Sequence, residues 1–198
     1  MSIESPIVND YVIELPQLID LLPTPDEVLA MKSAKVDIVE PEYTSAWDGQ
    51  KWYLITDNAK SNSVISKFNS DHLTAYPEVW LVEKEEGKWI RPHIDTDRLA
   101  VLIYPISPSS YDIQFTDKWE GDNNFFFRSY ENTTPYDYNV LHTHTYTCPT
   151  ILNSKIPHCL PSTAAKTTFQ ISLYFGYDAC SDWAGIVNTY NNGDLITL

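Results

Sequence analysis

Short runs of hydrophobic residues, separated by polar and turn-forming residues, fill most of the chain after about residue 50. Gly, Pro, Asn, Asp and Ser clusters separate the runs, which is typical of β-strands joined by turns. Eight such runs predict an antiparallel sandwich or barrel. A parallel α/β sheet would need helices between its strands, and the sequence after residue 80 shows no helical period. Gly87 predicts the turn of a hairpin within EVWLVEKEEGKWIRP. The runs are KWYLIT, EVWLVE, KWIRPHID, LAVLIYPI, YDIQFT, NNFFFRSY, TYTCPTILN and TFQISLYF.

The first quarter of the chain has helical spacing instead. LPQLIDLL places its apolar residues at i, i+3, i+4 and i+7, which predicts a helical turn. In TPDEVLAMKSA, Thr24 suits an N-cap and Pro25 suits the first helical position. NTYNNGDLITL near the C-terminus predicts a turn and an edge strand. We therefore expect one domain over residues 1–198, with a helical lead-in and first strand over about 1–75 and a β core over about 76–180.

Composition and charge narrow the class of protein. Hydrophobic residues make up 43% of the 198 residues and aromatic residues 13%, which indicates a packed globule. The net charge of −14 repels phosphate backbones, so we expect no nucleic-acid partner. No apolar run reaches the roughly 18 residues that span a bilayer, so we expect no membrane partner. Without a secretory signal, the three cysteines predict reduced thiols in a cytoplasmic protein.

Candidate chemistry begins in the stretch RPHIDTDRLAVLIYPI. His93 and Asp95 are two residues apart, and in an extended segment such residues point to the same face. His158, in LNSKIPHCLPS, is the best candidate for a third ligand. Two histidines and one carboxylate form the facial triad of non-haem Fe(II) oxygenases, which leaves positions open for co-substrate and O₂. The absence of thiolates in this set distinguishes it from structural zinc sites.

Residues 79–175 resemble the iron(II)- and 2-oxoglutarate-dependent dioxygenases. The resemblance is to the bacterial and phage members similar to prolyl and aspartyl/asparaginyl hydroxylases. RPHIDTDRLAVLIYPI matches the first block of that family, and PTILNSKIPHCLPSTAAKTTFQISLYF matches the second. The resemblance implies a mainly β (α+β) fold, namely a double-stranded β-helix or jelly roll with the N-terminal helices packed outside. It also implies Fe(II) bound by His93, Asp95 and His158, 2-oxoglutarate as co-substrate, and hydroxylation of a peptidyl Pro, Asp or Asn or of a small metabolite.

The chain departs from the family at the co-substrate. The family carries an Arg nine or ten residues after the second His, where it pairs with the distal carboxylate of 2-oxoglutarate. This chain has Thr168 or a neighbour there, and no Arg follows. Lys166 is the nearest replacement, with Thr168 on the same face of an extended strand. Arg98 is another candidate cation, and Tyr104 a candidate for the wall of the pocket.

Two other functions fit the same sequence. His142 and His144 in LHTHTY have the H-x-H spacing of cupin metal motifs, but no Glu follows in the cupin manner. A pair of surface histidines on an extended segment is the preferred interpretation of these two residues. The missing Arg and the acidic surface are also compatible with a non-catalytic jelly-roll module that serves in binding or as a structural element.

Overall fold

A computed structural model of the protein describes residues 6–34, 38–39, 50–55, 59–88, 90–95, 98–108, 110–117, 138–176 and 178–197. The predicted strand NNFFFRSY and Trp89 lie outside these residues. The strands are β1 (Val12–Glu14), β2 (Ile38–Val39), β3 (Gln50–Ile55), β4 (Glu78–Lys84), β5 (Ile90–His93), β6 (Ala100–Ser107), β7 (Tyr111–Thr116), β8 (Val140–Tyr146), β9 (Thr150–Asn153), β10 (His158–Leu160) and β11 (Lys166–Leu173). The helices are α1 (Pro25–Ala34), α2 (Ala59–Ile65) and α3 (Trp183–Asn191), with 3-10 helices at Pro16–Leu21, Ser70–His72 and Asp178–Cys180.

The strands form two antiparallel sheets. The larger sheet has seven strands in the order β1-β9-β6-β11-β4-β3-β2, and the smaller has four in the order β5-β10-β7-β8. From β4 to β11 the chain crosses repeatedly between the two sheets. This alternation is the topology of a jelly roll, so the predicted mainly β fold of two antiparallel sheets is confirmed.

Apolar residues pack in two layers, one on each face of the larger sheet. Val101 and Ile103 of β6 belong to the cluster between the two sheets, which also includes residues of β7 and β8. Leu102 belongs to the second cluster, which contains residues of the helices. Strands covered on both faces have continuous apolar runs, and this accounts for the run LAVLIYPI. The predicted packing of the N-terminal helices outside the barrel agrees with this arrangement.

The N-terminal helical region follows its local sequence signals. Glu27 N–H donates to Thr24 Oγ1 (3.3 Å), and Thr24 N–H donates to Glu27 Oε2 (2.8 Å). These reciprocal bonds form a capping box at the start of α1, so the predicted N-cap is confirmed. LPQLIDLL forms a 3-10 helix at Pro16–Leu21. Within the described residues, no helix is long and apolar enough to cross a membrane.

The predicted hairpin around Gly87 is wrong. Gly87 does occupy a turn, with φ of +80°. However, β4 pairs with β3 and β11, whereas β5 pairs with β10 in the other sheet. The turn therefore carries the chain from one sheet to the other, and local turn chemistry cannot distinguish this crossing from a hairpin.

The C-terminal region contains a helix that the sequence pattern did not predict. Asp182 Oδ1 accepts a hydrogen bond from Gly185 N–H (2.8 Å) and caps α3. The predicted turn is present at Gly193, with φ of +76°, but the predicted edge strand is reduced to a single bridge between Phe68 and Ile196.

We predict that Thr24→Ala lowers the free energy of unfolding by about 1 kcal/mol, because it removes the acceptor of the capping box. Thr24→Ser keeps that acceptor and is the matched control. Urea unfolding followed by circular dichroism measures both variants. Equal stability of Thr24→Ala and the wild-type protein would contradict the assigned cap.

Candidate metal centre

The three predicted metal ligands lie next to one another. His93 ends β5, and its Cα partner across the sheet is His158, the first residue of β10. The two ring centroids are 4.4 Å apart. Asp95 follows β5, and its Oδ1 is 4.0 Å from His93 Nε2. Among the described residues, these three form the only group of three or more His, Cys, Asp or Glu side chains in which one ligand atom from each lies within 4.8 Å of the others.

The hydrogen bonding of His158 leaves one nitrogen available as a ligand. His158 Nδ1 lies 2.9 Å from the carbonyl oxygen of Ile156, and because a carbonyl only accepts, Nδ1 carries the proton. The lone pair is then on Nε2, as in histidines whose metal-binding tautomer is fixed by a backbone acceptor. Burial, with the nearby His93, lowers the pKa of His158 to about 4. The imidazole is therefore neutral near pH 7, which metal binding requires.

Arg98 fixes the orientation of the Asp95 carboxylate. Arg98 Nε donates to Asp95 Oδ2 (3.0 Å), and Arg98 Nη1 donates to Ser172 Oγ (2.7 Å) on β11. Oδ1 is left on the side of the two histidines. Burial by itself raises the pKa of Asp95, but the charge and hydrogen bond of Arg98, with contributions from the two histidines, outweigh burial, so the pKa lies below its usual value. The Arg98 guanidinium is thus already engaged by Asp95 and Ser172, and its contact with a co-substrate stays a prediction.

The donor set suits a first-row divalent metal. Two imidazole nitrogens and one carboxylate oxygen are the ligands of the facial triad, and the group contains no cysteine sulfur. The residues present therefore fit a first-row divalent metal such as Fe(II).

Lys166 is buried at the start of β11. The residue is 3% exposed, and among the described residues no polar atom accepts a hydrogen bond from Nζ. Nζ instead lies 3.9 Å from the ring centroid of Tyr111. Gln170 Nε2 donates to Thr168 Oγ1 (3.1 Å), in keeping with the alternation that places Lys166, Thr168 and Gln170 on one face of β11.

Tyr146 packs against Tyr111, whose ring Lys166 Nζ contacts, and is close enough to Asp95 to be affected by its charge. Its ring centroid is 5.2 Å from that of Tyr111, and its buried hydroxyl has no hydrogen-bond partner within the described part of the chain. Burial raises the pKa of Tyr146 well above its usual value, and Tyr111 and the charge of Asp95 raise it further. Sequence reasoning missed both tyrosines. The alternation of YDIQFT and THTY would have placed them on the inward face of paired strands.

Two predictions about neighbouring residues are wrong. Tyr104 is the Cα partner of Phe169 and packs with the apolar cluster that contains the helices, so it faces away from the space between the sheets. His142 and His144 were expected on the surface, yet they point inward from β8, and His144 is 3% exposed. His144 Nε2 is 3.8 Å from Glu14 Oε1. No cupin-like group of three ligands includes either histidine among the residues described.

Comparison with known proteins shows similarity in structure but none in sequence. No protein-family model and no curated protein matches the sequence. The fold is similar to a prolyl-4-hydroxylase from Pseudomonas putida, with a TM-score of 0.52 and 12% identity, over 83% of this chain and 92% of that one.

Two further structures match less well. One is an oxidoreductase of the 2OG-Fe(II) oxygenase family from Burkholderia pseudomallei, with a TM-score of 0.44 and 10% identity over 86% of this chain and 87% of that one. The other is HygX from Streptomyces hygroscopicus with nickel and 2-oxoglutarate bound, with a TM-score of 0.40 and 9% identity over 83% of each chain. The comparisons establish that the chain shares its jelly-roll fold with the prolyl-4-hydroxylase.

Proposed function

We propose that this protein is an Fe(II)- and 2-oxoglutarate-dependent oxygenase that hydroxylates a peptidyl Pro, Asp or Asn residue or a small metabolite. The observation that carries the proposal is the grouping of His93, Asp95 and His158 within 4.8 Å. His158 is distant in sequence from His93 and Asp95, and the jelly roll brings it next to them. Support also comes from the fold shared with the Pseudomonas putida prolyl-4-hydroxylase.

Three side chains would hold the metal, namely His93, Asp95 through Oδ1, and His158 through Nε2. Iron, 2-oxoglutarate and O₂ together supply the oxidising power that converts C–H to C–OH, with 2-oxoglutarate split into succinate and CO₂. The protein contributes ligand orientation. Arg98 holds one oxygen of Asp95, and the carbonyl oxygen of Ile156 holds His158 in the metal-binding tautomer.

Lys166 is the proposed ligand for the distal carboxylate of 2-oxoglutarate. Lys166 Nζ and the Tyr146 hydroxyl are buried polar atoms without hydrogen-bond partners in the described part of the protein. Such groups normally have partners in native structures, and a carboxylate between them would accept a bond from each. Thr168, on the same face of β11, is the proposed third contact. A lysine provides a point charge where the family's arginine provides a planar fork.

The function is tested by anaerobic titration of the metal-free protein with Fe(II) and 2-oxoglutarate. We expect a metal-to-ligand charge-transfer absorption band when both are present, and slow formation of succinate once O₂ is admitted. His93→Ala should lose the band because it removes a ligand. His72→Ala, which removes a histidine paired with Asp194 outside the site, is the matched control and should retain it.

Two results would overturn the proposed function. One is a wild-type protein that shows neither the band nor succinate formation, which would favour a non-catalytic jelly-roll module. The other is a His93→Ala variant that binds Fe(II) as tightly as the wild-type protein does.

For the co-substrate, we predict that Lys166→Met weakens 2-oxoglutarate binding by about tenfold or more, because hydrogen bonds to charged groups contribute about 1.5–3 kcal/mol. Lys166→Arg should recover part of the affinity, and both variants should bind Fe(II) normally. The charge-transfer band measures the 2-oxoglutarate affinity at constant Fe(II). Unchanged affinity in Lys166→Met would show that another residue holds the distal carboxylate.

For the metal, we predict that Arg98→Met lowers Fe(II) affinity by about 10–100-fold, the usual effect of removing a group that orients a ligand. Arg98→Lys should restore part of the loss. Lys155→Met is the control, because Lys155 Nζ donates to the backbone oxygen of Asp95 and not to its carboxylate. Competition with a coloured chelator under anaerobic conditions measures the affinity. Equal affinities in wild type and Arg98→Met would contradict the assigned role.

A further inference from the structure

Two buried lysines face each other across neighbouring strands. Lys84 on β4 and Lys166 on β11 are direct Cα partners, so their side chains extend from the same face of the sheet. Lys84 is 4% exposed and Lys166 is 3% exposed. Like charges directly opposite one another destabilise a sheet, and buried charges are costly unless they are paired. The pair therefore requires an explanation beyond packing.

The surroundings of the two ammonium groups differ. Lys84 Nζ donates to the carbonyl oxygens of Glu85 (3.3 Å) and Lys88 (2.5 Å), which fixes it against the turn that follows β4. Lys166 Nζ has no hydrogen-bond acceptor in the described residues and lies over the ring of Tyr111. Lys166 is thus the member of the pair placed to receive an anion, while Lys84 is held in position beside it.

The charged and titratable groups around Lys166 come from three strands: Lys84 from β4, Tyr111 and Asp112 from β7, and Tyr146 from β8. Burial and then the charge of Lys84 lower the pKa of Lys166 to about 8, and Asp112 opposes this lowering. Burial raises the pKa of both tyrosines above the usual value, so they stay neutral. Lys166 is therefore charged below about pH 8 and loses its charge above it.

We propose that Lys84 is a positioning residue that makes anion binding at Lys166 pH-sensitive, so that a carboxylate is held at neutral pH and released in mildly alkaline solution. The anion is the distal carboxylate of 2-oxoglutarate, and in that respect the inference rests on the proposed function. Lys84 itself contacts no part of the co-substrate. It acts through the electrostatic repulsion that it exerts on Lys166.

The direct test is an NMR titration of metal-free protein labelled with ¹³C at the lysine Cε carbons. Lys166→Arg identifies the Lys166 resonance by its loss from the spectrum. We expect this resonance to titrate near pH 8 in the wild-type protein and at least about half a pH unit higher in Lys84→Met, because the methionine keeps the aliphatic stem without the charge. Lys88→Met removes an exposed lysine from the same turn, keeps the carbonyl that Lys84 contacts, and should leave the titration unchanged.

The second readout is calorimetric binding of 2-oxoglutarate to protein loaded with Mn(II), at pH 7 and pH 9. If binding requires protonated Lys166, a pKa near 8 predicts a loss of affinity of about tenfold between these pH values. In Lys84→Met, a rise of about half a pH unit in the Lys166 titration should shrink the loss to about fourfold, and a larger rise should shrink it further. Lys84→Gln, which can still donate to the turn carbonyls, should behave like Lys84→Met and separates loss of charge from loss of the turn contacts.

The possible results separate the two proposals. An unchanged Lys166 titration in both Lys84 variants overturns the role of Lys84, whatever binds at the site. A titration that moves as expected, in a protein that binds no 2-oxoglutarate at either pH, supports the electrostatic role and overturns the proposed function. A wild-type affinity that is equal at pH 7 and pH 9 overturns the pH sensitivity.

Discussion

The antiparallel pairing of β5 with β10 is the contact on which the rest of the site depends. It sets His93 opposite His158, although 65 residues separate them in the chain. A shift of one residue in this register would turn one histidine to the outer face of the sheet. Asp95 is held independently, because its N–H donates to the carbonyl oxygen of Ser154 and its carboxylate accepts from Arg98. Backbone pairing thus places the histidines, and side-chain hydrogen bonding orients the carboxylate.

The larger sheet can carry buried polar side chains because apolar clusters on both of its faces stabilise it. β11 shows this division: Phe169 and Ile171 pack with the helices, whereas Lys166, Thr168 and Ser172 are polar and buried. The apolar clusters stabilise the fold, and in its described part the buried Lys166 Nζ and the Tyr146 hydroxyl have no hydrogen-bond partner. Unsatisfied polar groups of this kind are costly in a native core, which is the physical reason for proposing that a bound anion contacts them.

The sequence predicted the grouping of His93, Asp95 and His158 better than it predicted the surroundings of Lys166. His93 and Asp95 were predictable because alternation in an extended segment aims both at one point, and Lys166 followed from its position after His158. The neighbours of Lys166 were not predictable, because Lys84 and Tyr146 belong to strands that are distant in sequence from β11. Similarly, the turn at Gly87 was correct, but its hairpin was wrong because sheet membership depends on contacts far along the chain. His142 and His144 were misplaced for the same reason.

A crystal structure of the protein grown anaerobically with Mn(II) in place of Fe(II) tests the central claim most directly. Anomalous scattering locates the ion without reference to the protein atoms. The account predicts one ion bonded to His93 Nε2, Asp95 Oδ1 and His158 Nε2, with Arg98 still donating to Asp95 Oδ2. An ion bound elsewhere, or none bound by these three residues at saturating Mn(II), would contradict it.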